Sequence, residues 1–265
     1  MPVLTRFHAL ADNLRESFRV LARVKPNGSV VELPGVSVAS LGVTFQMFNA
    51  AFLSQPVEDM EELMQRLESA SVYFKDHQIR WSFWICEDWL APAVRSKLSR
   101  TCEMFGLRLS SDMPGLSAGA IRPASRKLPP IDVRVVKSRE TLQDFRSIGS
   151  SCFHVPLAWF SEVFDMDIAT RHEFVCWVAY NNGVPVSTAA TVTSHGVIGV
   201  YNVATAADYR QRGYAEALTR SAIASALQQN EAEGVILQST SQGLRLYETM
   251  GFHVISRVLV YNSTP

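Results

Sequence analysis

The sequence contains little that would suit a secreted, membrane-spanning or metal-binding protein. It has only 4 cysteines in 265 residues, and none forms a C-x-x-C pair or stands at ligand spacing from a histidine. This pattern excludes a zinc or redox motif, predicts that no metal is bound, and favours buried free thiols. The four are Cys86, Cys102, Cys152 and Cys176.

Long apolar runs and charge of one sign are also missing. No stretch approaches the roughly 18 to 20 apolar residues of a membrane span, and the N-terminus has no basic segment followed by an apolar core. The 25 basic residues balance the 25 acidic ones, which argues against nucleic acid and anionic membrane surfaces as partners. We therefore expect a cytoplasmic protein that binds neither nucleic acid nor membrane.

Proline and basic residues interrupt the apolar pattern near the middle of the chain. Residues 122–130 read R-P-A-S-R-K-L-P-P, a composition typical of a linker. We predict an N-terminal α/β domain over residues 1–121, this linker at 122–130, and a C-terminal domain over residues 131–265.

Helical and strand periodicities alternate on both sides of the linker. The N-terminal part predicts helices at residues 2–23, 57–77 and 93–105, and strands at residues 34–52, 79–86 and 116–121. The C-terminal part predicts strands at residues 131–136, 173–180, 184–193, 197–205, 235–238 and 252–261, and helices at residues 138–152, 156–164, 214–229 and 241–250. The predicted fold class is α/β (α+β), with a mixed central sheet flanked by helices. The aromatic residues Trp81, Phe83, Trp84 and Trp89 fit core packing better than a substrate platform.

The stretch of residues 201–218 carries the clearest chemical signal. It leads from a strand through a loop into a helix, and the loop contains Arg210-x-x-Gly213-x-Ala215. Gly213 permits a close backbone approach and Ala215 adds no bulk, so the first amides of the helix can converge on a phosphate at the positive end of the helix dipole. The arginines of the loop add charge-assisted donors. These residues predict an anion site beside a strand.

This motif is similar to the signature of the GNAT superfamily, Gln/Arg-x-x-Gly-x-Gly/Ala between the fourth strand and the third helix. Arg210, Gly213 and Ala215 match all three specified positions. A second match lies in residues 238–252, Q-S-T-S-Q-G-L-R-L-Y-E-T-M-G-F, which resemble the strand, helix and Gly-Phe ending of that family. The resemblance covers roughly half of the chain and rests on two separate motifs.

The resemblance implies an acetyl-CoA-dependent N-acetyltransferase. Backbone groups at the end of one strand would pair with the pantetheine arm of acetyl-CoA, and amides of the loop would hold its pyrophosphate. Polar residues before the last helix would also reach the coenzyme. The implied coenzyme-binding residues are Val203, Ala204, Thr205, Arg210, Gln211, Arg212, Gly213, Tyr214, Ala215, Thr240 and Ser241.

The resemblance also implies part of the chemistry. Tyr247 stands where the family often has the tyrosine that protonates the departing thiolate, so it is the expected catalytic residue. The residue that acts as general base is not identified, because no carboxylate lies between His195 and Thr205. A water relay is the first choice, and His154, Glu173 and His195 are alternatives.

The acceptor is expected to be a small-molecule amine, since a neutral chain favours it over a histone-like tail. Residues between the first two helices of the C-terminal half commonly wall the acceptor site in this superfamily. The expected substrate contacts are Trp159, Phe160, Phe164 and Tyr201.

The end of the N-terminal half echoes the end of the C-terminal half. Residues 98–121 repeat a helix, a turn and a strand, with Phe105-Gly106-Leu107 in place of Gly251-Phe252. The echo suggests a tandem of two GNAT-like domains whose degenerate first copy serves as a scaffold, as a wall of the acceptor pocket, or as the surface of a homodimer.

Two functions fit the sequence. The first is direct transfer of an acetyl group from acetyl-CoA to the amine of a small molecule. The second is a non-catalytic acyl-CoA-binding sensor or regulatory protein, which the missing strand carboxylate permits.

Overall fold

A computed structural model describes residues 3–264 of the chain, with side chains from residue 7 onward. The described chain forms two compact units. Unit 1 runs to Gly115 and resumes at Val254, whereas unit 2 comprises Leu116–His253. The last strand of the sequence therefore belongs to unit 1, although all of unit 2 precedes it in the sequence.

Helices and strands alternate along both units. The helices are α1 Val3–Arg23, α2 Met60–Asp76, α3 Pro92–Arg95, α4 Leu98–Met104, α5 Arg139–Phe153, α6 Leu157–Val163, α7 Met166–Ala169, α8 Tyr214–Gln229 and α9 Ser241–Thr249. The strands are β1 Ser29–Leu33, β2 Val36–Ser40, β3 Asn49–Leu53, β4 Ser82–Cys86, β5 Leu107–Ala118, β6 Asp132–Val135, β7 Phe174–Asn181, β8 Val184–Ser194, β9 Val197–Thr205, β10 Val235–Gln238 and β11 His253–Ser263. The predicted α/β fold class is confirmed.

The sheet of unit 1 has the strand order β1-β2-β3-β4-β11-β5. The strands β1, β2 and β3 are antiparallel, and β3 is parallel to β4. β11 runs antiparallel to β4, with Val260 opposite Trp84. The aromatic run predicted to be core is buried at Trp81, Phe83, Trp84 and Trp89.

The sheet of unit 2 has the strand order β10-β9-β8-β7-β6. The strands β6 to β9 are antiparallel, and β10 runs parallel to β9. Helix α8 covers one face, where Leu218 packs in a cluster with Trp177 of β7. Helix α9 lies on the same face, since Tyr247 shares a cluster with Ile223 of α8.

Helix α5 covers the opposite face of this sheet. Phe145 of α5 packs against Phe164, with ring centroids 5.3 Å apart, and Phe164 contacts Phe174 of β7 at 6.1 Å. Phe174 and Trp177 are three positions apart on one strand, so their side chains point to opposite faces. The predicted cap of α5 is present as a capping box, in which Ser138 and Thr141 exchange side-chain and backbone hydrogen bonds.

The two sheets repeat one succession of strands. In unit 1 the antiparallel strands β1, β2 and β3 are followed by β4 in parallel to β3. In unit 2 the antiparallel strands β7, β8 and β9 are followed by β10 in parallel to β9. This repetition supports the tandem arrangement, which stays a prediction.

Three N-terminal elements differ from the sequence-based expectation, and the first of them, strand β1, was not predicted. The helix expected at residues 93–105 is broken into α3 and α4, and Ser96 Oγ donates to the Ala93 carbonyl oxygen, 3.0 Å away, at the break. The strand expected at residues 116–121 begins at Leu107. Its first half is mostly exposed and polar, so it lacks the alternation that marks a half-buried strand.

No helix within the described residues is both long and apolar enough to cross a membrane.

Candidate active site

The parallel strands β9 and β10 part near their carboxyl ends. Their register ends at the pair Val200 and Leu237, whereas β9 continues to Thr205 and stays paired with β8. Residues 202–205 thus have no registered partner on the β10 side within the described chain. Their backbone groups on that side are available to another extended chain, as at the edge of a sheet.

A β-bulge bends β9 where the strands part. The register between β8 and β9 shifts between Thr188 and Ala190, and Asn202 has a positive φ of 51°. Thr188 Oγ1 donates to the Asn202 carbonyl oxygen over 3.0 Å, and Ser187 Oγ donates to the Ala204 carbonyl oxygen over 2.6 Å. The two hydroxyl groups of β8 therefore fix the backbone of the bulge and of the residues after it.

The predicted coenzyme residues of β9 lie together after the bulge. Val203 packs against both clusters of unit 2, and Ala204 is buried. The Thr205 carbonyl oxygen accepts hydrogen bonds from Arg210 Nε at 3.1 Å and from Cys152 Sγ at 3.2 Å. The end of β9 is thus tied both to the loop before α8 and to the end of α5.

Gly213 forms the N-cap of α8. It has a φ of 91° in the left-handed region, and no side-chain hydrogen bond caps the helix. The first backbone N–H groups of α8, which include those of Tyr214 and Ala215, have no acceptor within the helix itself. An anion placed before the helix would accept from these groups at the positive end of the dipole.

The loop before α8 presents two guanidinium groups. Arg210, Gln211 and Arg212 are all exposed, and Gln211 has a positive φ of 62°. The Arg212 guanidinium lies 5.7 Å from the centre of the Tyr209 ring, close enough for a cation–π contact. This contact of Arg212 and the hydrogen bond from Arg210 to Thr205 hold both arginines beside the N-terminus of α8.

The segment predicted as a linker packs against this loop. A Cβ placed on Gly213 would lie 3.1 Å from Cδ of Pro129 and 3.3 Å from Nη2 of Arg126. In the first turn of α8, the buried Glu216 carboxylate accepts from Arg220 Nε at 3.0 Å and from Nη2 at 2.8 Å, and lies 3.8 Å from Arg126 Nη2. The two arginines balance a carboxylate that would otherwise repel an anion at this helix end.

Helix α9 carries the predicted acid and two predicted coenzyme residues. Thr240 is its N-cap and accepts from the Gly243 N–H over 3.3 Å, and Ser241 is its first residue; both side chains are exposed. The Tyr247 ring is buried and meets Phe252 edge-on at 5.8 Å. Burial raises the pKa of the Tyr247 phenol, so the group keeps its proton at neutral pH.

The three side chains considered as a general base are all exposed. His195 lies in the turn before Val197, at the end of β9 opposite to residues 201–205, and Glu173 directly precedes β7. His154 is the C-cap of α5, two positions after the cysteine that is bonded to the end of β9. His154 is therefore two residues from a side chain that is bonded to the end of β9, and the identity of the base stays a prediction.

The four predicted substrate contacts fall into different environments. Phe160 and Phe164 are buried in an aromatic cluster with Phe145, so the structure shows them as packing residues. Trp159 is 39% exposed. Tyr201 is half-buried and lies on β9 where the strands part. Substrate contact stays a prediction for all four.

Sequence reasoning gave no role to Gln238 or to Ser239, which directly precede the N-cap of α9. Gln238 ends β10, and its Nε2 is buried without a hydrogen-bond partner among the described residues. Ser239 is buried and donates to the Thr240 carbonyl oxygen over 2.8 Å. Both residues stand in the second family-like motif. Their polarity alone did not indicate a role, because the burial of Ser239 and of the Gln238 amide nitrogen is known only from the fold.

The cysteines provide no metal site. All four are free, and only Cys152 is not fully buried. Burial raises the pKa of Cys86 and of Cys102 to about 12 and also raises that of Cys176. Within the described residues, no group of three or more histidine, cysteine, aspartate or glutamate side chains could hold a metal ion.

Residues 172–254 match the family model described as an acetyltransferase (GNAT) domain. These residues include β7 to β10, the loop before α8, and α9. The resemblance predicted for the C-terminal half is thereby confirmed over residues 172–254, which match a GNAT acetyltransferase domain. The match supports an acyltransferase.

Solved structures share the fold over most of the chain. A GCN5-related N-acetyltransferase from Kribbella flavida has a TM-score of 0.73 at 19% identity, over 97% of this chain and 96% of that chain. A functionally unknown conserved protein from Staphylococcus epidermidis has a TM-score of 0.64 at 12% identity, over 89% and 94%. A GCN5-related N-acetyltransferase from Sphaerobacter thermophilus has a TM-score of 0.58 at 14% identity, over 100% and 93%. No curated protein sequence matches the chain.

Proposed function

We propose that the protein transfers an acetyl group from acetyl-CoA directly to the amine of a small molecule. One observation carries the proposal: the strands β9 and β10 part immediately before a helix whose N-cap is the left-handed Gly213. The gap offers backbone groups to an extended chain, and the helix end offers N–H groups to a phosphate. Coenzyme A contains both, as a pantetheine arm and a pyrophosphate.

The coenzyme would lie along residues 202–205 with its pyrophosphate at the loop before α8. Arg210 and Arg212 supply positive charge there, and Glu216 does not oppose it because Arg220 pairs with it. Thr240 and Ser241 are exposed at the start of α9, where their hydroxyl groups can reach the coenzyme.

The transfer itself needs an oxyanion donor and a proton for the thiolate. As the amine nitrogen bonds to the acetyl carbon, the carbonyl oxygen becomes negative, and a backbone N–H near Val203 can donate to it. The carbon–sulfur bond then breaks, and the protonated Tyr247 phenol gives its proton to the sulfur. Water carries the proton away from the attacking amine, with His154 as the side-chain alternative.

The residues up to Gly115 act in this proposal as a scaffold or as the surface of a homodimer. The small amine is favoured as acceptor over a histone-like tail because the charge of the chain is balanced. A cytoplasmic location is proposed on the same composition.

Coenzyme binding is tested by calorimetric titration with acetyl-CoA. We expect the intact protein to bind and Gly213→Glu to lose binding, because its carboxylate would stand at the phosphate position. Gly183→Glu is a matched control, since Gly183 also has a positive φ, of 81°, in a turn where an added Cβ meets nothing within 4 Å. Absence of binding to the intact protein would contradict the proposal.

Catalysis is tested by the release of free thiol from acetyl-CoA against a panel of amines, amino acids and aminoglycosides. Stimulated turnover with any acceptor supports the enzyme. Binding without turnover would favour the second candidate, a non-catalytic acyl-CoA sensor. The absence of a carboxylate from strand β9 supports this candidate.

A further inference from the structure

Gln238 is a half-buried polar residue whose side-chain nitrogen is buried and which the proposed reaction does not use. Its Nε2 has no hydrogen-bond acceptor among the described residues and is shielded from solvent. A buried amide donor left without an acceptor costs about 1 to 3 kcal/mol. Such a group in a folded protein calls for a partner outside the chain's own hydrogen bonds.

The residue stands where the strands β9 and β10 part. Gln238 is the last residue of β10 and directly follows Leu237, whose pair with Val200 is the last of the register. In a continued parallel register it would face Tyr201, the first residue of β9 beyond that pair. Gln238 therefore borders the gap in which the acyl group is proposed to lie.

Gln238 lies on the face of the sheet opposite to the proposed acid. Val235 and Leu237 belong to the cluster that contains Tyr247, so these side chains point to the face of α8 and α9. Side chains alternate along a strand, which directs Gln238 to the face that α5 covers. The departing thiolate is protonated on one face, and an amine that attacks the acetyl carbon from the opposite side approaches on the other.

We infer that Gln238 recognises the acceptor, and that its Nε2–H donates to an oxygen close to the attacking amine. The inference rests on the proposed function and narrows its substrate class. The acceptor would carry a hydroxyl, carbonyl or carboxylate oxygen next to its amine, as amino alcohols, amino acids and amino sugars do. A simple alkylamine or polyamine offers no such oxygen, so the Nε2–H of Gln238 would stay without a hydrogen-bond partner.

The experiment compares two amines of equal length, 2-aminoethanol and 1-aminopropane, by thiol release at saturating acetyl-CoA. We expect the intact protein to have the higher kcat/KM for 2-aminoethanol. Gln238→Met, which keeps the length and removes the donor, should lower that kcat/KM about 10- to 100-fold and leave the value for 1-aminopropane within a factor of about two. Gln242→Met, at an exposed position of α9, is the control and should change neither value.

The ratio of the two kcat/KM values does not depend on how much of a variant folds, because both amines meet the same protein. An unchanged ratio in Gln238→Met would overturn the inference, as would an equal preference of the intact protein for the two amines. A loss of acetyl-CoA affinity in Gln238→Met would assign the amide to the coenzyme instead. An intact protein that binds no acetyl-CoA would overturn the proposed function itself, and a protein that binds it without turning over either amine would overturn the transfer.

Discussion

Cys152 Sγ donates a hydrogen bond to the Thr205 carbonyl oxygen over 3.2 Å. This bond joins the last turn of α5 to the end of β9, the strand proposed to pair with pantetheine. Its thiol is the one cysteine of the described chain that is not fully buried. The position of a reactive group beside the coenzyme strand gives a chemical probe of the site.

We expect iodoacetamide to modify Cys152 first in the native protein. Cys86, Cys102 and Cys176 are buried and burial raises the pKa of each, so they supply little thiolate. Mass spectrometry of the labelled protein measures the order, and acetyl-CoA should slow the first modification. In Cys152→Ser the fast phase should vanish. Faster labelling of a buried cysteine would contradict the burial described above.

Replacement of Gly213 by alanine should weaken both folding and coenzyme binding. Its φ of 91° disfavours a side chain, and the new Cβ would meet Pro129 Cδ at 3.1 Å. A non-glycine residue in a strained region costs about 1 to 3 kcal/mol, measurable by urea unfolding together with a fall in acetyl-CoA affinity. Gly183→Ala separates the two causes, because it shares the positive φ, at 81°, without the contact. Equal losses of affinity in both variants would argue against a role for the loop.

Tyr247→Phe should lower kcat without loosening coenzyme binding. The phenol is buried and protonated, and removal of a positioned general acid costs about 100-fold or more in rate. Steady-state kinetics and calorimetry measure the two quantities separately. Tyr180→Phe is the control, because that phenol donates to Asp144 over 2.6 Å on the face of α5. Tyr180→Phe should reduce stability and leave kcat unchanged. An unchanged kcat in Tyr247→Phe would show that Tyr247 is not the general acid.

The free energy of unfolding should fall as the pH rises above about 9. Burial, reinforced by Asp88 for one thiol, raises the pKa of Cys86 and of Cys102 from 9.0 to about 12. Between these values the unfolded chain loses the thiol protons and the folded chain keeps them, so alkali favours unfolding. Each thiol contributes a slope of about 1.4 kcal/mol per pH unit.

Urea unfolding from pH 8.5 to 11 measures this dependence. Cys102→Ser, whose hydroxyl does not titrate in this interval, should show a shallower slope than the unmodified chain. A free energy of unfolding that stays constant over the interval would show that the thiols ionise equally in both states.

The sequence predicted the elements of unit 2 well because each carries a local signal. The Asn181-Asn182-Gly183 turn marks a hairpin, and Ser138 with Thr141 marks a helix start. The loop around Gly213 was recognisable for the same reason, since the predicted anion site lies within one short segment of chain.

Features that depend on long-range pairing could not be read from the chain. The break between α3 and α4 and the start of β5 at Leu107 lie in segments whose polar residues hide the periodicity. The unpaired amide of Gln238 exists only because β10 ends beside the bulge of β9. The packing of Phe160 and Phe164 into one cluster likewise depends on helices that meet only in the fold.

The place of β11 in unit 1 has a consequence for synthesis. A ribosome releases the chain from its N-terminus, so β1 to β5 emerge long before the strand that pairs with β4. Unit 2 is encoded without interruption, so all of its strands precede residues 254–263 in synthesis. Unit 1 is therefore begun first and completed last, because β4 lacks its neighbour β11 until residues 253–263 have been synthesised.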